Sequence, residues 1–467
     1  MVETLPETDR LPADVWKVVT VAVLGSFLAQ LDATVVNVSL STLAVEMHST
    51  LATVQWVTSG YLLALALMLP LNGWLVDRIG AKRLYLWCFT AFTAASVLCG
   101  AARSAESLIA FRVLQGLCGG LLAPMAQMML ARAAGRHMAR VVGYAAVPVL
   151  LAPVLGPVIA GAILQHASWR WIFLLNLPFG LLAIALARVF LPDDELNDQR
   201  RSFDGVGFLL LSPGIALFLY GADHVVDRRG QALLAFSILL IGLFVRSARQ
   251  KAGASIVDLR LFRNRVFRAG TQVQFLQNGS VFAAQMLLPI YLIRACGESP
   301  SKTGLLLAPL GVGMICVYPL MGTLTKTFGI RKVSAMGGIV SLLSALPFVY
   351  FAQHSIAGVA LAVALFFRGM GQAAIGTPSI SAAYNAVAKP QLPMATTALN
   401  IVQRLGGPTL TTALATFLAW QMHAHGTAPR VFVAAFALLA ALHAALLLAT
   451  FALPATLAAT RPSGRAA

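Results

Sequence analysis

The chain has 467 residues, of which 58% are hydrophobic and only 11% charged, and its net charge is +17. A soluble globular protein carries about 25% charged residues, so this chain is not built for water. The sign of the charge would suit a nucleic-acid binder, but its placement along the chain, given below, excludes that reading.

Apolar runs of about 20 residues recur from Trp16 to about Pro454, each long enough to cross a ~30 Å hydrocarbon core. Breaks at polar or Gly/Pro clusters predict fourteen spans, at 16–40, 54–74, 84–102, 107–131, 141–164, 169–191, 204–222, 231–248, 269–293, 303–324, 333–352, 357–381, 396–420 and 430–453. The first ends in VNVSLSTLAVEM without a small-residue cleavage pattern and is expected to be retained. With the N-terminus inside, 23 of the 34 Lys and Arg fall in inside segments, 7 in outside loops and 4 within spans (Arg112, Arg188, Arg368 and Arg404). That bias places both termini in the cytoplasm and makes the positive excess a topology signal facing an anionic inner leaflet. The lipid bilayer, not a nucleic acid, is the implied partner.

The chain repeats itself. GWLVDRIGAKR (73–83) follows the second span and GTLTKTFGIRK (322–332) the tenth. FRVLQGLCGG (111–120) and FRGMGQAAIG (367–376) form a second pair at a similar offset. Two related six-span halves with two spans inserted between them are therefore expected, as in many secondary transporters. The divisions are a tail at 1–15, a first bundle at 16–192, the inserted pair at 193–250, a second bundle at 251–454 and a tail at 455–467.

Asp32, in LDATVVNVSL, is the only acid well inside a span. A central Asp costs about 2.5–3.5 kcal/mol on insertion scales, so such residues usually face a cavity and work. Burial and a nearby cation pull a carboxylate's proton affinity in opposite directions, so a group held between them can bind and release protons. A structural ion pair is the alternative. Arg112 is the natural partner: at 1.5 Å per residue the two lie at depths of about 16 and 9 Å, a gap an Arg side chain can bridge. Snorkelling of Arg112 to the headgroups is its alternative.

Gly73 and Gly80 permit tight turns around Asp77, Arg78, Lys82 and Arg83. In the fifth span Pro148, Pro153 and Pro157 each remove a backbone donor, while Gly143, Gly156 and Gly161 allow close helix contact, so a bent helix at the seam between halves is expected. Gln274, Asn278 and Gln285 fall within about 40° of one another on the ninth span, a polar stripe that reads as cavity lining or as interhelical glue. Asn37, Tyr61, Tyr144, Gln277 and Asn400 are further candidates for the cavity. Arg368 and Arg404 lie near mid-membrane with no second-half acid inside a span, which leans the cavity positive and towards anionic or neutral cargo. Pairing of both arginines with backbone carbonyls is the alternative.

Together the motifs are recognisable. LDATVVNV, GWLVDRIGAKR, R112VLQG116, the Gly/Pro run PVLLAPVLGPVIAG and SWRWIFLLNLPFG (168–180) resemble the fourteen-span drug:proton antiporter branch of the major facilitator superfamily, the QacA/EmrB-like group. The resemblance covers most of the first half. In the second, Lys326 and Thr327 replace the Asp–Arg pair of the loop motif. It implies an all-α polytopic membrane protein of the major facilitator fold. It also implies a charge lock at 73–83 that holds the outward-facing state and a fifth span that prevents leak. The expected function is a proton-coupled exporter of small organic molecules by alternating access, acting as a monomer in a bacterial inner membrane. An exporter of organic anions or metal chelates is one rival, and a sensor or scaffold without flux is another. No enzyme signal and no catalytic residue is present, and no GxxxxGK[ST] loop implies ATP, so no cofactor is expected beyond the proton gradient. The five cysteines have no metal spacing and His423 and His425 sit beside Gly426 and Pro429 in a loop, so no metal is expected either.

Overall fold

The computed structural model describes residues 11–194, 202–251, 253–354, 358–425 and 429–455. Arg10, Arg200, Arg201, Arg461, Arg465 and Gly426 lie outside these ranges. Among the described residues all regular structure is helical. Thirteen helices are long and apolar enough to cross a membrane: α1 (Ala13–Glu46), α2 (Leu51–Ile79), α3 (Ala81–Gly100), α4 (Ala105–Ala134), α5 (Met138–His166), α6 (Arg170–Phe190), α7 (Gly205–Asp223), α8 (Arg228–Gln250), α9 (Arg265–Arg294), α10 (Lys302–Phe328), α11 (Ile330–Phe351), α12 (Gly358–Asn385) and α14 (Arg430–Thr450). The fourteenth, α13 (Leu392–His425), runs 34 residues. It is less apolar because Thr396, Thr397, Asn400, Gln403 and Arg404 lie along it. Trp87, Val189, Leu209, Ile238, Leu343 and Leu448 stand exposed. Such a surface is stable only against hydrocarbon.

The two halves are built alike. In the first, α1 packs on α4, α5 and α6, and α3 on α4 and α6. In the second, α9 packs on α12, α13 and α14, and α11 on α12 and α14. The repeat reaches the backbone. α2 tightens into a 3₁₀ turn at Leu69–Leu71 and α10 at Tyr318–Leu320, each holding a proline (Pro70 or Pro319) that cannot donate to the ladder. Each then continues for eight residues and ends on a positive-φ glycine, Gly80 at +95° and Gly329 at +82°. α7 and α8 pair with each other, and α7 lies against α2 and α13.

The first and last described segments lie on one side. Arg331 Nε, at the start of α11, donates to the Leu453 carbonyl beyond α14 (2.7 Å). Leu11, before α1, belongs to the same buried cluster as Leu191 and Leu261. This side is the terminal end below. The two bundles meet there: α13 against the ends of α2 and α4, and α5 against the end of α10.

Candidate functional site

Asp32 sits on α1 with its side chain fully enclosed, and so does Arg112 on α4. Arg112 Nη1 donates to Asp32 Oδ2 at 2.7 Å and to Gln115 Oε1 at 2.6 Å. Arg112 Nε donates to the Val57 carbonyl of α2 (3.2 Å), and the guanidinium lies 4.1 Å above the Tyr61 ring. The other carboxylate oxygen, Oδ1, accepts from Asn176 Nδ2 of α6 at 2.6 Å and from Gln115 Nε2 at 3.4 Å. Asn176 also donates to Ser96 Oγ on α3 (2.9 Å), which donates to the Phe173 carbonyl (2.9 Å). Five helices thus hold one carboxylate. α4 reaches it because Gly116 lets α2 close in: a Cβ at Gly116 would lie 2.4 Å from the Tyr61 carbonyl oxygen.

The second bundle carries a different pair. Arg368 on α12 is fully buried, with Nη2 3.2 Å from His443 Nε2 on α14. His443 Nδ1 lies 2.7 Å from the Leu439 carbonyl. The tautomer that satisfies both contacts carries its proton on Nδ1 and accepts Arg368 at Nε2. No acid follows Glu298 in the sequence, so Arg368 is met by an imidazole on α14, the counterpart of α6, and not by a carboxylate on α9, the counterpart of α1.

Between the bundles the terminal end is sealed by polar contacts. Gln127 Oε1 on α4 accepts from Tyr384 OH on α12 (2.7 Å) and from Asn400 Nδ2 on α13 (2.9 Å). Asn72 Nδ2 on α2 donates to Thr397 Oγ1 on α13 (3.2 Å). Gly143 fits the seam against the Tyr318 carbonyl of α10, where a Cβ would come within 2.1 Å. Gly73 packs likewise on Met394. One helical turn beyond Asn400, away from the seal, Arg404 is half-buried and makes no hydrogen bond among the described residues. Counting from the Asn72–Thr397 contact at 1.5 Å per residue, Arg404 and Tyr61 lie about 10 and 16 Å above the seal. An extended Arg side chain spans that difference, which puts the guanidinium within electrostatic range of the Tyr61 hydroxyl. That hydroxyl is buried with no hydrogen-bond partner among the described residues.

The far end of the 73–83 loop, from Gly80 on, is fastened within its own half. Asp194, after α6, accepts from the backbone N–H groups of Lys82 (2.8 Å) and Arg83 (3.0 Å) and so caps α3. Gly80 is required twice over: its φ is positive, and a Cβ would strike the Asp194 carboxylate. Lys82 Nζ bonds Asp193 (2.9 Å), and that hydrogen bond with the ammonium charge holds the Asp193 carboxyl below its ordinary pKa. Asp77 is half-buried and Arg78 exposed at the same end.

A family model described as Major Facilitator Superfamily matches residues 22–411. The chain belongs to that superfamily. The Multidrug resistance protein B homolog of Mycobacterium tuberculosis is 34% identical over 424 residues, 89% of this chain and 78% of that protein. The MdtD protein of Klebsiella pneumoniae is 32% identical over 374 residues, 77% of each. A crystal structure of a double Trp mutant of XylE superposes with a TM-score of 0.68 at 14% identity, covering 97% and 98% of the two chains. The human organic anion transporter MFSD10 gives 0.64 at 15%, covering 94% and 100%. At such identities the likeness is one of fold. The family's members are transporters, so the chain is a multi-pass transporter of small molecules, not an enzyme.

Within this major facilitator transporter the nominated residues separate. Asp32 and Arg112 come together. Gln274 is buried and spent on Ser379 Oγ (2.6 Å), the Gly376 carbonyl (2.8 Å) and Gln403 (2.6 Å), which ties α9 to α12 and α13. Gln277 donates to the Gln372 carbonyl (3.1 Å) and Asn278 to the Gln274 carbonyl (3.1 Å). Asn37 and Gln285 are exposed. Tyr144 stands at the terminal end, 5.5 Å from the Trp16 ring. α5 is one continuous helix across Pro148, Pro153 and Pro157. Gly156 packs on Thr34 of α1, while Gly161 has open space. Asn176, Gln115, Gln127, Tyr384 and His443 were not singled out from sequence. Asn176 and Gln115 lie inside quoted motifs, and a lone amide in an apolar run is the signal that could have marked them.

Proposed function

We propose that this transporter is a proton-coupled antiporter that exports small organic molecules by alternating access, with Asp32 carrying the proton and Arg112 as its partner. The observation that carries this reading is the fully enclosed Asp32–Arg112 pair, held by amides on two helices. Protonating Asp32 removes the charge that Arg112 answers. An uncompensated buried cation costs about 3–5 kcal/mol, so protonation has to be accompanied by rearrangement around α4. The 23-to-7 charge bias supports both termini in the cytoplasm of a bacterial inner membrane. On that orientation the seal at Gln127, Asn72 and Gly143 closes the cytoplasmic side. One chain supplies both bundles, which supports a functional monomer, and the proton gradient supplies the energy without a cofactor.

The test is transport in proteoliposomes with an imposed pH gradient. Asp32→Asn is expected to lose proton-driven uphill movement while keeping downhill substrate exchange. Uphill, gradient-dependent transport by Asp32→Asn sinks the assignment.

A second observation favours organic anions as cargo. The acid of the central region is sealed off, and the half-buried charge without a partner is a cation, Arg404. Dansylglycine and dansylcadaverine share a fluorophore and differ in charge. Dansylglycine is expected to be moved, and Arg404→Gln to slow it by about tenfold, one lost charge-assisted contact. Equal transport of dansylcadaverine ends the anion reading and leaves the Asp32 assignment untouched.

A further inference from the structure

The stretch from Arg246 to Arg268 holds seven basic residues and one acid, Asp258. Two of the seven are engaged. Lys251 pairs with Asp204. Arg260 pairs with Asp258 through Nε at 3.1 and 3.2 Å and Nη2 at 3.0 Å. That second pair lies flat because residue 253 is glycine, with a φ of +101° and no Cβ to meet the guanidinium. The other five, Arg246, Arg249, Arg263, Arg265 and Arg268, are exposed and make no hydrogen bond or ion pair among the described residues. A topology signal needs charge at this end. It does not need a cleft beneath the charge.

Two adjoining clefts are there. One, of about 550 Å³, runs over α9 between α13 and α14; Phe262, Phe275, Leu276, Val402 and Ala449 line it, and Arg268 stands at it. The other, of about 460 Å³, lies between the end of α8 and the 253–263 segment, with Arg249 and Arg263 on its wall. Phe262 belongs to both, so the clefts adjoin at its side chain, and the trough is the pair of them. Each has the volume of a ligand site. The trough's single carboxylate is already neutralised by Arg260. It begins at the terminal end, where the charges are, and its apolar part runs along spans whose other neighbour is hydrocarbon.

We infer that this trough is a binding site for an anionic phospholipid, with an acyl chain along Phe262, Phe275, Leu276 and Val402 and the headgroup phosphate on Arg263 and Arg268. Guanidinium groups match phosphate geometry, and each basic residue near a membrane surface adds about 1 kcal/mol towards an anionic lipid. The placement of the charge fits no other ligand as well. A soluble anion would leave the apolar length of the trough unused, and a zwitterionic lipid would leave the arginines unanswered.

The full chain, purified and delipidated in detergent, is titrated with palmitoyl-oleoyl phosphatidylglycerol, with the matching phosphatidylcholine and with glycerol phosphate. Lipid retention is read by native mass spectrometry and the melting temperature beside it. Phosphatidylglycerol is expected to be retained and to raise the melting temperature. Arg263→Gln with Arg268→Gln is expected to weaken it by about thirtyfold, two charges' worth. Arg246→Gln, outside the trough, is expected to leave it unchanged. Ala449→Trp, which fills the apolar cleft and keeps the charges, is expected to weaken phosphatidylglycerol as well. Equal retention of phosphatidylcholine, an unaltered response in the double variant, or glycerol phosphate matching the intact lipid would each overturn the site.

Discussion

Asp32 is saturated. Its two oxygens take one guanidinium nitrogen and two amide nitrogens, so its negative charge is answered without water. The short contact from Asn176 gives that residue a share of the work that its position in SWRWIFLLNLPFG does not announce. Asn176→Ala leaves Oδ1 with only the 3.4 Å contact from Gln115. A hydrogen bond to a charged group is worth about 1.5–3 kcal/mol, so the variant is expected to melt several degrees lower and to lose proton-driven transport by about tenfold or more. Asn37→Ala, at an exposed amide in the sequence motif itself, is expected to change neither. Transport and melting side by side distinguish the two, and equal effects would remove Asn176 from the site. Asp32 and Arg112 were legible because a charge in an apolar run is rare and costly. Neutral amides are cheap enough in such runs that their partners, four helices away, decide what they do.

The helices were legible for the same reason, with one instructive exception. α13 passes by length but is too polar to rank with the other thirteen, because Gln403, Arg404 and a run of Gly, Pro and Thr follow the Thr397 and Asn400 of the seal. The glycines at 73, 80 and 143 were expected to permit turns and close approach. What they approach, Met394, Asp194 and the Tyr318 carbonyl, is set by chain 114 to 321 residues away and has no local signature. The α7–α8 hairpin shows the same limit. Asp204 caps α7 through the Gly207 N–H (2.9 Å), accepts from the Ile256 N–H (3.1 Å) and pairs with Lys251, so one carboxylate fastens the hairpin to the 253–264 segment. Burial alone pushes that carboxyl's pKa up, but the hydrogen bonds from Lys251, Gly207 and Ile256 outweigh it and hold it below its ordinary value. A depressed folded-state pKa contributes stability above the unfolded value, near 4, and loses it as pH falls through the folded value. Asp204→Asn is therefore expected to cost about 2 kcal/mol at pH 7, and the gap from wild type is expected to close below pH 4. Hydrogen exchange of residues 205–264 across that range measures it, and a gap independent of pH would show that the charge contributes nothing.

For the whole molecule, the contacts between bundles are unevenly spread. At the terminal end the Asn72–Thr397, Gln127–Tyr384 and Gln127–Asn400 hydrogen bonds and glycine-lined crossings are among the contacts that join them. Each such bond contributes about 1 kcal/mol net, so these three together are worth about 3 kcal/mol. On the proposed coupling, a charge freed at Asp32 would be worth about 3–5 kcal/mol, the same order as the ~5.5 kcal/mol that turns a 1:99 equilibrium into 99:1. The Asn72–Thr397 contact offers a direct test. Cysteines at both positions, in a chain whose exposed Cys316 is changed to Ser, sit where a 3.2 Å hydrogen bond now joins the side chains. Oxidation is expected to form the cross-link in most molecules and to stop transport, and reduction to restore it. Dansylglycine binding from the opposite end is expected to survive the cross-link, since the Arg404–Tyr61 region lies on the far side of the seal. Full transport by fully cross-linked protein would mean that α2 and α13 never part there, and the two-bundle rocking scheme would fall with it.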